Sequence, residues 1–229
     1  MKLVPCFILA RKNSKGIKNK NLTKIGNKSL LKRTIEFVKK SKFISHIVIS
    51  TDDKNIAKVS EKEKCFTIFP RPKILSNDNA SSEAALKHAL NIFESKFYKT
   101  NIICYVQVTE PFRPPGILDK CINVLLKNKN IDSCFAAFEQ KKNFWVNNGK
   151  NLRRISPYKE RYTPRQKKKS VLREDTGVAL ATRSKFIKIG ERIGKKVRCI
   201  EYTNPKYNLD INNHNDLNFA KKIQKLGKN

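Results

Sequence analysis

Negative charge is what this chain has least of: 19 Asp or Glu stand against 50 Lys or Arg among 229 residues, a formal charge of +31. A surplus of that size makes any polyanion an electrostatically favoured partner. The lysines are nevertheless spread through every segment, as in Lys39-Lys40 and Lys221-Lys222. They read as solvated helix faces, so a general surface property is expected rather than a specific nucleic-acid groove. A long apolar run is also missing. The longest, Leu3 to Ala10, is far shorter than the roughly 20 residues that span a bilayer, and this excludes a membrane span. Only Lys2 precedes that run and no small-residue cleavage site follows it, so a cytoplasmic chain is expected. The six cysteines form no C-x-x-C pair and fall mostly inside apolar runs such as I-I-C-Y-V, so they are expected as reduced core thiols. Three histidines suggest no catalytic triad. G-x-x-x-x-G-K-[ST] and G-x-G-x-x-G are both absent, which argues against a P-loop NTPase and against a nicotinamide cofactor.

What is present is alternation. Apolar runs of strand length (Leu3 to Leu9, His46 to Ser50, Cys65 to Phe69, Ile102 to Gln107, Ser133 to Phe138, Val178 to Thr182, Val197 to Tyr202) alternate with segments of helical period. Leu31, Ile35 and Val38 share one stripe behind a capping Ser29, and Ala85, Leu86, Ala89 and Phe93 share another behind Ser81 or Ser82. The pattern predicts an α/β fold, a doubly wound, mostly parallel sheet with helices on both faces and the charge-free strand at 102–107 near its centre. One domain spanning 1–229 accounts for it, with a protruding excursion at about 139–174. There the Asn147-Asn148-Gly149 turn signal implies a hairpin, and 159–169 an exposed arm.

In such sheets ligands bind beyond the carboxyl ends of the strands. After the first strand, residues 10–21 read A-R-K-N-S-K-G-I-K-N-K-N. Cations beside a flexible glycine make a phosphate cradle there. Other strand ends carry S-T-D-D (50–53), F-P-R-P (69–72), S-N-D-N-A-S-S (76–82), V-Q-V-T-E-P-F-R-P (106–114) and L-D-I-N-N-H-N-D-L (209–217).

Together with R-x-x-S-K-G-x-x-x-K-N at 11–21, these motifs resemble the acylneuraminate cytidylyltransferases, over nearly the whole chain from Val4 to about Ile223. The resemblance implies a homodimeric enzyme that joins CTP to a nonulosonic acid, giving the CMP-sugar acid and pyrophosphate with Mg²⁺. By position it implies that Arg11 and Lys20 hold the triphosphate, with Lys15 and Gly16 in the same loop. It places Asn21, Arg71, Ser81 and Ser82 around the cytidine. Gln107 contacts the sugar acid, and Arg165 and Arg173 reach a carboxylate or phosphate from the protruding region, partly across a dimer interface. Asp210 stands at the first aspartate of a metal-binding D-x-D whose second member is Asn212 here, and Asp216 is expected to cap the last helix.

The chain departs from the family at three further places. Val108 and Glu110 replace the proline and serine of Q-P-T-S-P, and Glu110 matches the Q-x-x-E-P of the Kdo-type cytidylyltransferases, the alternative enzyme reading. R-E-D-T-G at 173–177 has one residue more than the family's R-x-N-G, and Leu180 stands where some relatives have a tyrosine near the sugar. A basic nucleic-acid-binding protein is the alternative of another class. It leaves Asp52, Asp53, Asp78 and Asp210 at strand ends without a role.

Overall fold

The computed structural model describes residues 4–14, 16–155 and 162–227. Its backbone is an eight-stranded sheet. The first half is parallel, with β1 (Val4–Leu9) between β4 (Ile44–Ser50) and β6 (Ile102–Tyr105), and β5 (Phe66–Ile68) outside β4. Two-residue strands β2 (Lys24–Ile25) and β3 (Lys28–Ser29) form a separate small hairpin. Beyond β6 the sheet turns mixed. Antiparallel β11 (Leu180–Arg183) lies between β6 and β7 (Ser133–Gln140), and β12 (Val197–Tyr202) runs parallel to β7 on its other edge.

Strand alternation sends successive side chains to opposite faces, and both faces are covered. Cys6, Ile8, Ile49, Cys104, Cys134 and Ala181 pack under α1 (Leu30–Lys39), α2 (Lys54–Lys62), α4 (Ile117–Lys127) and α6 (His214–Leu226). Phe7, Val48, Ile103, Tyr105 and Leu180 pack under α3 (Ser82–Lys96) and α5 (Ser184–Lys188). This is the expected doubly wound layering. The helix starts follow the expected chemistry as well: the Ser29 side chain accepts from Lys32 N–H, Ser81 accepts from Ala84 N–H, and Asn213 and Asp216 form a capping box on α6.

The strand at 102–107 is central but ends at Tyr105, which leaves Val106 to Gln107 to turn out over the sheet. The segment 139–174 is anchored in the main sheet at both ends, because β7 runs on to Gln140 and β10 (Val171–Glu174) pairs with it. Between these anchors lies the expected hairpin, β8 (Trp145–Asn147) against β9 (Leu152–Arg154). Of the expected arm, 159–161 lie outside the described residues and Arg165–Lys167 form a short 3₁₀ turn.

β10 and β11 are two halves of one antiparallel partner of β7, separated by a bulge. Glu174 faces Ala137 and Leu180 faces Phe135, so residues 175–179 all stand opposite Ala136. Ala136 closes both ends: its carbonyl accepts from Asp175 N–H and its own N–H donates to Ala179. Such bulges re-aim side chains near sites. Among the described residues no helix is long and apolar enough to cross a membrane.

Candidate active site

The chain leaves β1 in one direction to build β4 and β5, then returns to place β6 on the other side of β1. That reversal opens a crevice at the carboxyl ends of β1 and β6, the position where doubly wound sheets bind ligands. A cleft of about 630 Å³ occupies it, lined by Arg11, Gly16, Lys20 and Asn21 from the loop after β1, by Arg71, Ser81 and Ser82, by Gln107, and by Asn212. Nine residues singled out from the sequence thus meet in one place. Lys15 lies outside the described residues.

The loop after β1 is held by its own side chains. Asn21, almost fully buried, donates from Nδ2 to the Arg11 carbonyl at 2.8 Å. Lys20 donates from Nζ to the Ile211 carbonyl at 2.9 Å, and partial burial lowers its pKa against the upward pull of Asp210. Arg11 pairs with Asp78 at 2.8 Å and donates to the Asn77 carbonyl at 3.0 Å. Gly16 meets the strand-end segment 209–213 directly: a Cβ there would stand 1.8 Å from the Asn212 carbonyl oxygen. Only glycine permits that approach.

On the other wall Arg71 is buried, with burial lowering its pKa, and its Nε donates to Ser76 Oγ at 3.0 Å. Ser81 caps α3, while Ser82 and Gln107 line the same cleft as fully buried Tyr105, whose hydroxyl burial pushes up in pKa. Sequence reading did not single out Tyr105, because an aromatic at the end of an apolar strand looks like core.

A second cavity of about 330 Å³ adjoins the first and shares Gln107 with it. Its other walls are Glu110, Arg173, Asp175, Gly177, Tyr207 and Asp210. Arg173 therefore faces the same chain's Gln107 and Asp210. Arg165 contributes only backbone to the description, in the 165–167 turn, and its side chain lies outside it. Leu180 lines neither cavity. It is fully buried on the α3 side of the sheet, paired in register with Tyr105, so this position does not touch the pocket in the way the family comparison suggests. Asp210 is exposed at the seam and its Oδ2 accepts from Asn212 Nδ2 at 2.9 Å. Asp216 does cap α6, its Oδ2 accepting from the N–H groups of Asn212 and Asn213.

Glu110 lines the second cavity, and Arg113 lies behind its wall. Both are 8% exposed. Burial pushes the Glu110 carboxyl up from 4.5 to about 7, helped by the nearby Asp210 charge and opposed by Arg113. Arg113, lowered to about 10 by burial, donates to the carbonyls of Val178 and Gln107 and to Thr34 Oγ1 while its guanidinium lies over the Phe37 ring at 5.0 Å. It ties the Gln107 turn to the bulge of β10–β11. Its place in P-F-R-P just after a strand was the only signal for it. Gly177 gives the Glu110 carboxylate room, since a Cβ there would sit 2.1 Å from Oε1.

Two outcomes follow. Gly16→Ala forces the loop away from Asn212, so any turnover should fall at least about tenfold; steady-state kinetics check this, with a thermal melt showing that the variant is folded at the assay temperature. Because the folded-state pKa of Glu110 is raised, the folded protein keeps a proton between pH about 4.5 and 7 that the unfolded chain has released. The stabilisation is full below that window and is lost as pH rises through it. Urea unfolding across pH 4.5–8 should show that decline in the wild type and a flatter profile in Glu110→Gln.

Comparison with known proteins identifies the family of the chain. The family described as "Cytidylyltransferase" matches residues 6–226. Among curated relatives, the post-translational flagellin modification protein B of Campylobacter coli is 32% identical over 148 residues, 64% of this chain and 63% of that protein. A pseudaminic acid cytidylyltransferase of Campylobacter jejuni is 34% identical over 134 residues, 58% of this chain and 57% of that protein. A CMP-N,N'-diacetyllegionaminic acid synthase of Campylobacter jejuni is 39% identical over 92 residues, 40% of this chain and 39% of that protein. These matched stretches span less than two thirds of the length of those relatives. Among solved structures, a CMP:2-keto-3-deoxy-manno-octonic acid synthetase complexed with CTP aligns over 98% of this chain and 99% of that one, with a TM-score of 0.73 at 14% identity, a likeness of fold. With a family match that covers nearly every residue and the cleft at its expected place in the sheet, the chain belongs to the cytidylyltransferase family.

Proposed function

We propose that this chain transfers a cytidylyl group from CTP to a nonulosonic acid, giving the CMP-sugar acid and pyrophosphate. The observation that carries the reading is the pair of adjoining cavities that share Gln107: one carries the cationic loop of Arg11 and Lys20, the other the Arg173 guanidinium. In the first, the triphosphate lies against Arg11 and Lys20, and the cytosine and ribose against Arg71, Asn21, Ser81 and Ser82. Short hydroxyl and amide groups suit a small pyrimidine. Arg11 is available to a phosphate because its pairing with Asp78 is partly exposed, and exposed pairs contribute little stability. In the second cavity the sugar acid meets Gln107 and Arg173, with Arg165 assigned to the same anion by family position.

The anomeric hydroxyl attacks the α-phosphorus in line, its O–P bond forming as the bond to the β-phosphate oxygen breaks, and its proton passes to water. Charge grows on the departing pyrophosphate, and Lys20 and Arg11 are the fixed cations placed to stabilise it. Lys20 suits this role because it is anchored on the Ile211 carbonyl and partly desolvated. The donor set at the seam fits Mg²⁺: Asp210 offers carboxylate oxygen, and Asn212, whose Nδ2 is turned to Asp210, offers its amide oxygen. Among the described residues no three His, Cys, Asp or Glu gather into a metal site. A cation at Asp210 and Asn212 would be held largely by substrate phosphates and water. Bound there, Mg²⁺ supplies charge neutralisation across the phosphates.

Nine-carbon acids are favoured over the eight-carbon acid of the Kdo-type enzymes by the names of the sequence relatives. A homodimer is supported by apolar side chains left exposed on the 139–174 excursion, Trp145 at 55% and Leu152 at 65%.

Pyrophosphate release tests the reading. With CTP, Mg²⁺ and a panel of N-acetylneuraminic, pseudaminic, N,N'-diacetyllegionaminic and Kdo acids, turnover is expected with a nine-carbon acid, lost on chelation, and far slower with ATP. Equal rates with ATP and CTP overturn the cytidine assignment, and preference for Kdo overturns the sugar class. Asp210→Asn should lower turnover by about a hundredfold or more and shift its Mg²⁺ dependence upward.

A further inference from the structure

The bulge opposite Ala136 begins at Asp175, inside R-E-D-T-G, the stretch that departs from the family pattern. Arg173 lies in β10 and Asp175 is the first residue beyond it. Their side chains meet: Arg173 Nε donates to Asp175 Oδ1 at 2.7 Å. The second oxygen of Asp175 is also engaged, accepting from the Tyr202 hydroxyl on β12 at 2.6 Å, and that hydroxyl lies 3.3 Å from the Tyr207 carbonyl. The Asp175 backbone is pinned at both groups, its N–H to Ala136 O at 2.9 Å and its carbonyl to Val178 N–H at 3.0 Å. Its side chain is 9% exposed, against 45% for Arg173. The Asp175 carboxylate is therefore a fixed point, and the arginine it holds is partly free.

A guanidinium carries five N–H donors in a rigid plane. With Nε–H engaged by Asp175 and the Phe138 ring centroid 5.8 Å from the guanidinium carbon, the orientation of that plane is largely set. The Tyr202 hydroxyl also lies close enough to act on this guanidinium, whose terminal nitrogens are the kind of donor pair that a carboxylate accepts in bidentate fashion. The cavity they border is the one that holds Gln107 and Asp210.

We propose that Asp175 is a positioning residue that fixes the Arg173 guanidinium for bidentate capture of the sugar carboxylate. The inference rests on the reading of this cavity as the sugar-acid site. Asp175 touches no reacting atom in this scheme. It raises affinity for the sugar acid by holding ordered a side chain that would otherwise be ordered at the moment of binding.

The test is steady-state pyrophosphate release with CTP, Mg²⁺ and whichever acid of the panel the wild type turns over fastest, in wild type, Asp175→Asn, Asp175→Glu, Arg173→Ala and the Arg173→Ala/Asp175→Asn double variant. Asp175→Asn should raise KM for the sugar acid about tenfold and leave KM for CTP within about twofold, with kcat changed far less than KM. Asp175→Glu should recover part of the loss. In the Arg173→Ala background the Asp175 change should have no further effect on KM, since the residue it acts through is gone. An unchanged sugar KM in Asp175→Asn, a parallel rise in KM for CTP, or an equal loss in the Arg173→Ala background overturns the inference while the functional reading stands. A wild type that turns over no sugar acid overturns both. If Asp175→Asn proves unstable in a thermal melt, Tyr202→Phe, which frees Asp175 Oδ2, should give a smaller rise in the same KM and no rise in that for CTP; a Tyr202→Phe enzyme with an unchanged sugar KM then overturns the inference.

Discussion

Gly16 and Asn212 are nearly two hundred positions apart, yet their backbones approach so closely that no side chain fits between them. The site depends on that contact. It brings the cationic loop after β1 against the segment that carries Asp210, and Lys20 locks the approach by donating to the carbonyl of Ile211, which is fully buried. The cationic side chains of the loop and the Asp210 carboxylate are thereby set side by side before any ligand arrives. Preorganisation of this kind is what allows fixed charges to stabilise a developing one without reorganising.

A second constraint runs beneath the cleft. Arg113 is buried without a carboxylate in direct contact among its hydrogen-bond partners, and gives its N–H groups to two carbonyls and a hydroxyl. A buried cation held this way resists displacement, because every donor lost leaves an uncompensated charge in a poorly solvated place. Its two carbonyl partners belong to the Gln107 turn and to the β10–β11 bulge, so one side chain couples the walls of both cavities. Glu110 next to it is the feature most changed by tertiary placement: in sequence a substitution in a motif, in the fold a carboxyl that burial holds near neutrality's edge.

Much of this was legible beforehand. Periodicity showed the helices with their capping serines, and the apolar runs showed the strands, because burial on two sheet faces demands alternating side chains and a helical stripe demands three- and four-residue spacing. The boundaries drifted where local pattern and pairing disagree. Val178 and Ala179 are as apolar as any strand residue, yet they belong to the bulge, since Ala136 offers only one residue to pair with five. Tyr105, Arg113 and Asp175 escaped notice for a shared reason: each is ordinary in sequence and acquires its role from partners on other strands or from the loops that follow them.

By itself the sequence determined the fold class, the excess of cationic surface, and the set of strand-end motifs that make up the first cavity, because these depend on residue type and local spacing. Tertiary structure alone decided that Gly16 is required by Asn212, that Leu180 faces the core, and that Arg173 is held by Asp175 in the cavity of its own chain. Those facts depend on the register of β6, β7, β10 and β11, and register is set by packing across the whole sheet, which no local window contains.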